Sequence, residues 1–310
     1  MKDFWFRTWG EKWVEEKKNY VKESTYANYR TILINHLIPE FGDLRLNEID
    51  YSLIQKSVIK WASQGRIDGN GGLSSKTIKD IVVVLKMCLR DAEIDERQIT
   101  KRTGFVYPTV DDMGKRFALT ELQFQRYQQA ILLNLNTETM GLLLCLYTGM
   151  RIGEICALQW RDIDIEERVI YIKRTIQRVY YKNRDNKGAT KIIITTPKSK
   201  KSVRVIPISD LLFDTIEKKR GASDYYVITG SPKYIEPRLY RKHFMNFIRE
   251  NSLDYIHFHG LRHTFATRCI AAGADYKTVS ELLGHASVNI TLNLYVHPHM
   301  DQKRKCVNLL

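Results

Sequence analysis

Residues able to bind and cleave a phosphodiester are gathered near the end of this 310-residue chain. The stretch HGLRHTFAT begins at His259, and the stretch LLGHASVNITLNLY ends at Tyr295. If residues 259–267 are helical, His259 and Arg262 share a face, because positions three apart on a helix are neighbours. A tyrosine can attack phosphorus when fixed cations stabilise the charge that develops on the phosphate. The pattern therefore predicts a phosphoryl-transfer site with Tyr295 as its nucleophile.

A helix corner is predicted to bring His285 towards Tyr295. Gly284 is predicted to end one helix in the left-handed conformation, and Ser287 is predicted to cap the next helix. Thr291 and Tyr295 are then one turn apart on that second helix. The corner would hold an imidazole near the phenol that the chemistry needs.

A further arginine motif lies upstream, in the sequence LLLCLYTGMRIGEICALQW of residues 142–160. Its apolar run predicts a buried helix, and a turn at Gly149 would let Arg151 begin the next helix. An arginine held at a helix entrance by buried neighbours is preorganised to bind a phosphate. Taken alone, Arg151 and Glu154 would equally fit a solvated ion pair three residues apart.

Positive charge is concentrated in the C-terminal part of the chain. Residues 1–112 hold 18 basic and 17 acidic residues, so almost all of the net charge of +14 lies beyond them. Residues 173–204 alone contain eleven basic residues and one acid, Asp185. β-Branched runs around a lysine-rich turn predict a hairpin there, able to reach into a DNA groove. The plainer interpretation is a solvated charged loop, but the asymmetry favours a polyanionic partner.

These motifs resemble the tyrosine recombinases of the phage integrase family over nearly the whole chain. The family pattern is TG-x-R-x-x-E, then H-x-x-R, then His or Trp after Leu-Gly, then the tyrosine. The resemblance implies that Tyr295 attacks the scissile phosphate and forms a 3′-phosphotyrosine link. It implies that Arg151 and Arg262 bind the non-bridging oxygens. His259 and His285 would support proton transfer and phosphate binding.

The resemblance also implies a catalytic lysine at the turn of the basic hairpin, before an Ile-Pro pair. In TPKSKKSVRVIP the best match is Lys198, which would protonate the leaving 5′-oxygen. Lys200 and Lys201 on the same turn, and Arg204 after it, are expected to contact DNA. Glu154 is expected to support the neighbouring arginine.

Length and composition favour two domains. Residues 98–116 lack clean periodicity, so we predict a helical DNA-binding domain with its linker in 1–112 and a catalytic domain in 113–310. By resemblance, the first is the SAM-like core-binding domain and the second has the DNA breaking-rejoining fold. The expected fold class is mainly α with a small β-sheet or hairpin.

The N-terminal third reads as a set of helices. Trp5, Trp9 and Trp13 recur every four residues and are predicted to form a core stripe rather than a platform for stacking bases. Ser24 is predicted to cap a second helix, which Pro39 would end. Two further helices are predicted to begin at capping residues, Asp50 and either Ser74 or Ser75. Thr120 is predicted to cap the first helix of the second domain. The family resemblance suggests four contacts with the DNA backbone: Lys22, Tyr26, Tyr29 and Arg30.

No cofactor or metal is expected, because the sequence shows neither a two-metal carboxylate cluster nor a phosphate-binding glycine loop. Double-stranded DNA is the expected partner. The family implies a homotetramer on paired sites, a monomer or weak oligomer off DNA, and an accessory directionality factor. Five scattered cysteines and the absence of an apolar leader or membrane span predict a cytoplasmic protein. The family resemblance implies that it is bacterial and associated with the nucleoid.

The favoured function is a site-specific integrase that integrates and excises a mobile element, such as a phage genome. Three alternatives fit the same residues: a Xer-like resolvase or invertase, a type IB topoisomerase, and a non-catalytic DNA-binding protein with a structural Tyr295. The core-binding pattern begins almost at Met1, so we expect either simple recombination sites or a truncated form.

Overall fold

The protein was analysed as a computed structural model, which describes residues 4–108, 118–182, 188–196, 203–295, 304 and 307–308. The described residues divide into two units, one within 1–114 and 179–191 and the other within 115–178 and 192–310. Within the described ranges, no helix is both long enough and apolar enough to cross a membrane.

The first unit has a helical core in which Trp9 and Trp13 are buried, as predicted. Its elements are α1 (Phe6–Lys17), α2 (Glu23–Ile32), a π-helical turn (Leu33–Leu37), α3 (Ile38–Phe41), a 3-10 turn (Leu46–Glu48), α4 (Tyr51–Gln64), α5 (Ser75–Asp91) and α6 (Glu96–Ile99). Asp50 caps α4 by accepting from the Leu53 N–H at 2.8 Å, and Ser74 caps α5. Both caps were predicted.

Two predictions for the N-terminal helices are wrong. Lys22, not Ser24, occupies the N-cap position of α2, so Ser24 lies inside the helix. Pro39 does not end the helical run, because it lies in the first turn of α3. A proline is tolerated there, since the N–H groups of a first turn have no acceptor within the helix.

Trp5 departs from the predicted tryptophan stripe. It is the N-cap residue of α1 and is 49% exposed, while the guanidinium of Arg45 lies 5.3 Å from its ring centroid. The stripe therefore has two buried members, and its third ring stacks with a cation at the surface.

The second unit is organised around α8, whose residues from Thr139 to Leu146 are all buried. Its elements are α7 (Glu121–Leu133), α8 (Thr137–Thr148), α9 (Ile152–Ala157), a 3-10 turn (Trp160–Asp162), β1 (Ile163–Asp164), β2 (Val169–Ile172), β5 (Arg204–Pro207), α10 (Asp210–Lys219), α11 (Pro237–Glu250), α12 (Phe258–Ala271), α13 (Tyr276–Leu283) and α14 (Val288–Tyr295). Two further strands, β3 (Thr175–Lys182) and β4 (Gly188–Thr195), each have residues in both units. α12 packs directly on α8. Both helices are buried on several faces, as expected of helices at the centre of a core.

The strands confirm the predicted fold class, and a two-stranded sheet lies within the basic stretch, but the strands on either side of the lysine-rich residues do not pair with each other. β2 lies between β1 and β5 in an antiparallel sheet, where Ile170 is paired with both Ile163 and Ile206. β3 and β4 form a separate two-stranded sheet. The strands before and after the lysine-rich sequence, β4 and β5, therefore belong to different sheets. All three paired isoleucines are buried. β5 pairs with β2 because this pairing places the Ile206 side chain in the core beside Ile170.

Candidate active site

The turn between α8 and α9 presents Arg151. Gly149 ends α8 with a φ of 63°, and a Cβ there would lie 2.5 Å from a ring carbon of Phe265. The turn therefore requires glycine. Arg151 is the N-cap residue of α9, as predicted. Its backbone N–H and its Nη1 each donate to a different carboxylate oxygen of Glu154, both at 2.9 Å.

Arg262 lies on α12, and the helix predicted for residues 259–267 is confirmed. Its side chain is almost wholly buried, at 2% exposure. Nη1 donates to the carbonyl of Gly149 at 2.6 Å, so the second arginine holds the turn that presents the first. Burial and the positive charge of Arg151 lower the pKa of Arg262 to about 9.

Three guanidinium groups bind three consecutive carbonyls at the end of α13. Arg204 Nε donates to Leu282 O at 2.6 Å, Arg262 Nη2 donates to Leu283 O at 2.8 Å, and Arg151 Nη2 donates to Gly284 O at 3.0 Å. The last carbonyls of a helix have no donor within it and carry its negative dipole end, so cations stabilise them. We call this arrangement the arginine clamp. It fixes the end of α13 against both motif arginines.

The corner after α13 follows the predicted geometry. Gly284 is left-handed, with a φ of 65°, and the His285 N–H donates back to Ser280 O at 3.0 Å. The Ser287 hydroxyl accepts from the Asn289 N–H at 3.3 Å, so Ser287 caps α14.

His285 is fixed by α14 itself. Its Nδ1 lies 2.8 Å from the hydroxyl of Thr291, which is fully buried. Thr291 is one turn before Tyr295, the last residue of α14. The clamp, the imidazole and the helix that ends in Tyr295 thus form one connected structure.

Three histidines near the clamp are held neutral. The rings of His259 and His263 meet edge to face, with centroids 4.6 Å apart. Partial burial, His263 and the neighbouring arginines lower the pKa of His259 to about 4. Burial and Arg262 lower the pKa of His263 to about 4, and burial with both motif arginines does the same for the pKa of His285. Near neutral pH each of the three therefore has one N–H that can donate a hydrogen bond and one ring nitrogen that can accept one.

Glu154 lies beside Arg151 and forms an ion pair with it. Its carboxylate is buried and accepts from Arg151 and, through two bonds, from Arg204. Burial alone would raise the pKa of Glu154, but the two arginines lower it below its usual range. The Glu154 carboxylate is therefore ionised, and it orients the guanidinium of Arg151.

The structure revises the DNA-contact prediction for Arg204. Its side chain is 6% exposed, and its described bonds go to Glu154 and Leu282 O. The cost of burying a guanidinium is offset only when its donors are paired inside the protein, as they are here. Sequence reasoning assigned Arg204 to DNA because of its charged surroundings and missed its structural partners.

Other parts of the basic stretch are also paired within the protein. Arg174 forms an ion pair with Asp162, and Arg178 forms one with Glu236. The predicted catalytic Lys198 and its neighbours Lys200 and Lys201 lie outside the described residues.

In the first unit, aromatic members of the proposed DNA-contact set are used in packing. The ring of Tyr29 stacks on Trp13 at 5.7 Å. Tyr26 is buried and donates to Glu15 at 2.8 Å, while Arg30 pairs with the same carboxylate at 3.0 Å. The exposed member of the set is Lys22. The family resemblance that suggested these contacts does not distinguish a packed aromatic ring from one that contacts DNA.

A cavity of about 430 Å³ opens beside the clamp. Five of its lining residues carry guanidinium or imidazole groups, and the other three are apolar: Arg151, Arg241, His257, His259 and Arg262, with Met150, Ile152 and Phe258. Three motif residues thus line one concave surface. Arg241 and His257 were not predicted, although His257 is only two residues before His259. Another cavity, of about 370 Å³ and lined in part by Glu138 and His243, contains none of the motif residues.

Comparison with known proteins covers both units. A family model for the phage integrase family matches residues 119–302, and a model for the phage integrase N-terminal SAM-like domain matches residues 5–62. A tyrosine recombinase XerC-like protein of Caldanaerobacter subterraneus subsp. tengcongensis is 29% identical, covering 93% of this chain and 78% of its own. The ICEBs1 integrase of Bacillus subtilis is 25% identical, covering 96% of this chain and 78% of its own.

Solved structures share the fold. The Tn1549 transposon integrase in complex with a circular intermediate DNA has a TM-score of 0.75 at 21% identity, covering 98% of this chain and 99% of that one. A lambda integrase tetramer bound to a Holliday junction has a TM-score of 0.60 at 19% identity, covering 92% and 79%. At these identities the likeness establishes the fold, and the chemistry rests on the residues described above.

Proposed function

The chain belongs to the phage integrase family of tyrosine recombinases, and from this premise we propose that it integrates and excises a mobile element at specific DNA sites. In the proposed reaction the Tyr295 oxygen forms a bond to phosphorus while the bond to the 5′-oxygen breaks. The products are a 3′-phosphotyrosine and a free 5′-hydroxyl. Attack by another 5′-hydroxyl restores the DNA backbone and releases the tyrosine, so the number of phosphate ester bonds is conserved.

The arginine clamp carries this proposal. Through hydrogen bonds it holds Arg151 and Arg262 against the corner after α13. That corner contains His285 and leads into α14, which ends at Tyr295. Groups that stabilise a transition state must be positioned before the reaction, and a clamp of this kind removes the cost of arranging them. Arg151 has a side chain that is 36% exposed, so it retains access to a phosphate from the cavity.

The remaining roles follow from the chemistry of each group. Arg151 and Arg262 bind the non-bridging oxygens, using guanidinium donors beyond those committed to the clamp. His259 and His285, neutral beside two arginines, donate to the phosphate and exchange a proton with it. Lys198 protonates the leaving 5′-oxygen, as the family motif implies.

The proposal assigns residues 1–112 to binding the core of the DNA site and residues 113–310 to binding and catalysis. Double-stranded DNA is the partner, with a homotetramer on two paired sites and an accessory factor that sets direction. Support for the tetramer comes from the lambda integrase assembly on a Holliday junction. The proposed location is the bacterial nucleoid.

A mobile-element role is favoured by the ICEBs1 and Tn1549 integrases among the similar proteins. The alternative with its own support is a Xer-like resolvase, because a XerC-like recombinase is similar over most of the chain. Plasmids that carry two cognate sites in direct repeat, in inverted repeat, or on separate molecules would distinguish excision, inversion and integration. An integrase system joins separate molecules, whereas a dedicated resolvase acts on direct repeats in one molecule.

The test of the chemistry is covalent capture. Duplexes that bind the protein would be selected from random sequence, and nicked versions of the selected site would trap the cleaved intermediate. We expect a protein–DNA adduct that survives denaturation and forms in EDTA without nucleotide. Cleavage that requires magnesium, or tight specific binding with no adduct on any nicked version, would contradict the proposed reaction.

A further inference from the structure

We propose that Arg241 and His257 form a second phosphate site, which binds the DNA phosphate next to the scissile one. The inference rests on the proposed function and extends it from one phosphate to two. Arg241 and His257 line the same cavity as Arg151, His259 and Arg262. They have no part in the clamp.

The cavity has room for more than one phosphate group. Its volume is about 430 Å³, whereas a phosphate group has five heavy atoms and occupies at most about five times the roughly 30 Å³ of one water molecule in the liquid. A scissile phosphate bound by Arg151 and Arg262 would fill only part of this space. Successive phosphates of one strand advance by only about 3.4 Å along the duplex axis, so a neighbouring phosphate follows closely.

The charge of the cavity suits two anions. Its described lining contains three arginines and two histidines and no carboxylate. The Glu154 carboxylate, which neutralises part of this charge, lies behind Arg151 and is not among the lining residues. Arg241 adds a planar set of donors, and His257 adds an imidazole N–H. Both groups can donate hydrogen bonds to the oxygens of a phosphodiester.

Aromatic packing fixes these two residues relative to each other. The ring of Phe258 packs edge-on against Tyr240 and Phe244 of α11, with centroids 5.6 and 5.3 Å apart. Arg241 directly follows Tyr240, and His257 directly precedes Phe258. The contact therefore locks the start of α12 onto α11. Side chains presented from such rigid elements keep their geometry better than side chains on loops.

The test locates each contact by removing phosphate charges one at a time. Neutral methylphosphonates would replace single phosphates along a duplex selected for binding, and affinities would be measured for wild type, Arg151→Ala and Arg241→Ala. Where a side chain contacts a phosphate, the two changes are not additive. We expect Arg151→Ala to identify one phosphate and Arg241→Ala to identify its immediate neighbour. On the wild type, neutralising that neighbour should weaken binding about tenfold to 160-fold, as for loss of one charged hydrogen bond.

Lys242→Ala is the matched control, because Lys242 is an exposed cation on the same helix and does not line the cavity. It should show no coupling at that neighbouring phosphate. His257→Asn should show weaker coupling at the same position as Arg241→Ala. Additive effects of Arg241→Ala at every phosphate, or coupling at the phosphate that Arg151 identifies, would overturn the proposal.

This outcome is separable from failure of the proposed function. If no adduct forms at the phosphate that couples to Arg151, the tyrosine chemistry fails, yet the binding map still decides whether Arg241 contacts a second phosphate. If the adduct forms and Arg241 shows no coupling, only the second site is lost.

Discussion

The guanidinium of Arg204 and the carboxylate of Glu154 face each other in a two-pronged ion pair, with Nη1–Oε1 and Nη2–Oε2 distances of 3.0 and 2.9 Å. Arg204 is the first residue of β5 and follows the lysine-rich turn, whereas Glu154 lies on α9 beside Arg151. The pair therefore connects β5, which follows the expected catalytic Lys198, to the start of α9, where Arg151 is expected to bind phosphate.

Loss of the Glu154 charge should destabilise the second unit strongly. Glu154→Gln keeps the shape of the side chain but leaves Arg204 buried without its counter-ion, which costs about 3–5 kcal/mol when one partner of a buried pair is removed. Chemical denaturation followed by fluorescence would measure the change. The control is Asp210→Asn, because Asp210 is exposed and pairs with Arg168 at the surface. Removal of an exposed pair costs only about 0–1 kcal/mol. Equal losses of stability in the two variants would show that the buried ion pair stabilises the protein no more than the exposed pair does.

Stability should fall as the pH drops from about 6.5 towards 4. The pKa values of His259, His263 and His285 are each lowered to about 4 in the folded protein, whereas an unfolded histidine has a pKa of about 6.5. Between these values the unfolded chain binds more protons, so protonation favours unfolding. Above about pH 6.5 the three histidines are neutral in both states, so they do not make the free energy of unfolding depend on pH. Urea denaturation at several pH values would test this, and His285→Asn should reduce the slope in the window. A slope unchanged by that substitution would contradict the assignment for His285.

The hydrogen bond between His285 and Thr291 should matter for cleavage more than for binding. Thr291→Val keeps the volume and removes the hydroxyl that lies 2.8 Å from Nδ1. Loss of a hydrogen bond worth about 1 kcal/mol slows the reaction roughly fivefold if it acts only on the transition state. Single-turnover cleavage of a nicked site would measure the rate. Thr291→Ser retains the hydroxyl and should restore most of it, while a Ser variant as slow as the Val variant would point to packing instead.

Substitution of Arg151 by lysine should impair cleavage severely. Arg151 already uses one terminal nitrogen for Glu154 and the other for Gly284 O, and a lysine has only one nitrogen for both partners and the phosphate. By analogy with oxyanion holes, loss of one donor lowers the cleavage rate about 100-fold to 1,000-fold. Arg249→Lys, on the exposed surface of α11, is the control and should leave the rate unchanged. An Arg151→Lys variant that cleaves at nearly the wild-type rate would contradict the clamp's role.

Local features of the site could be predicted from the sequence because they depend on neighbouring residues. Gly284 and Ser287 confirm the predicted helix stop and cap, and the Arg151 helix entrance follows from the glycine turn before it. These positions obey backbone rules that operate over a few residues.

The clamp itself could not be predicted. The bonds from Arg262 to Gly149 O and from Arg204 to Glu154 join residues far apart in the chain, and only tertiary packing brings them together. Charge alone had placed Arg204 on DNA, because the sequence does not show which cations are buried. In the same way, the aromatic spacing around Tyr26 gave no indication that the ring is buried.

Substitution of Tyr295 by phenylalanine is the most direct test of the account. The change removes one hydroxyl, so the fold and specific DNA binding should survive. Wild-type and Tyr295→Phe proteins would be incubated with the nicked selected site, and covalent adducts would be separated under denaturing conditions and digested for mass spectrometry. We expect an adduct on the Tyr295 peptide of the wild type and none in the variant. An adduct that persists in Tyr295→Phe, or one attached to another residue, would contradict it.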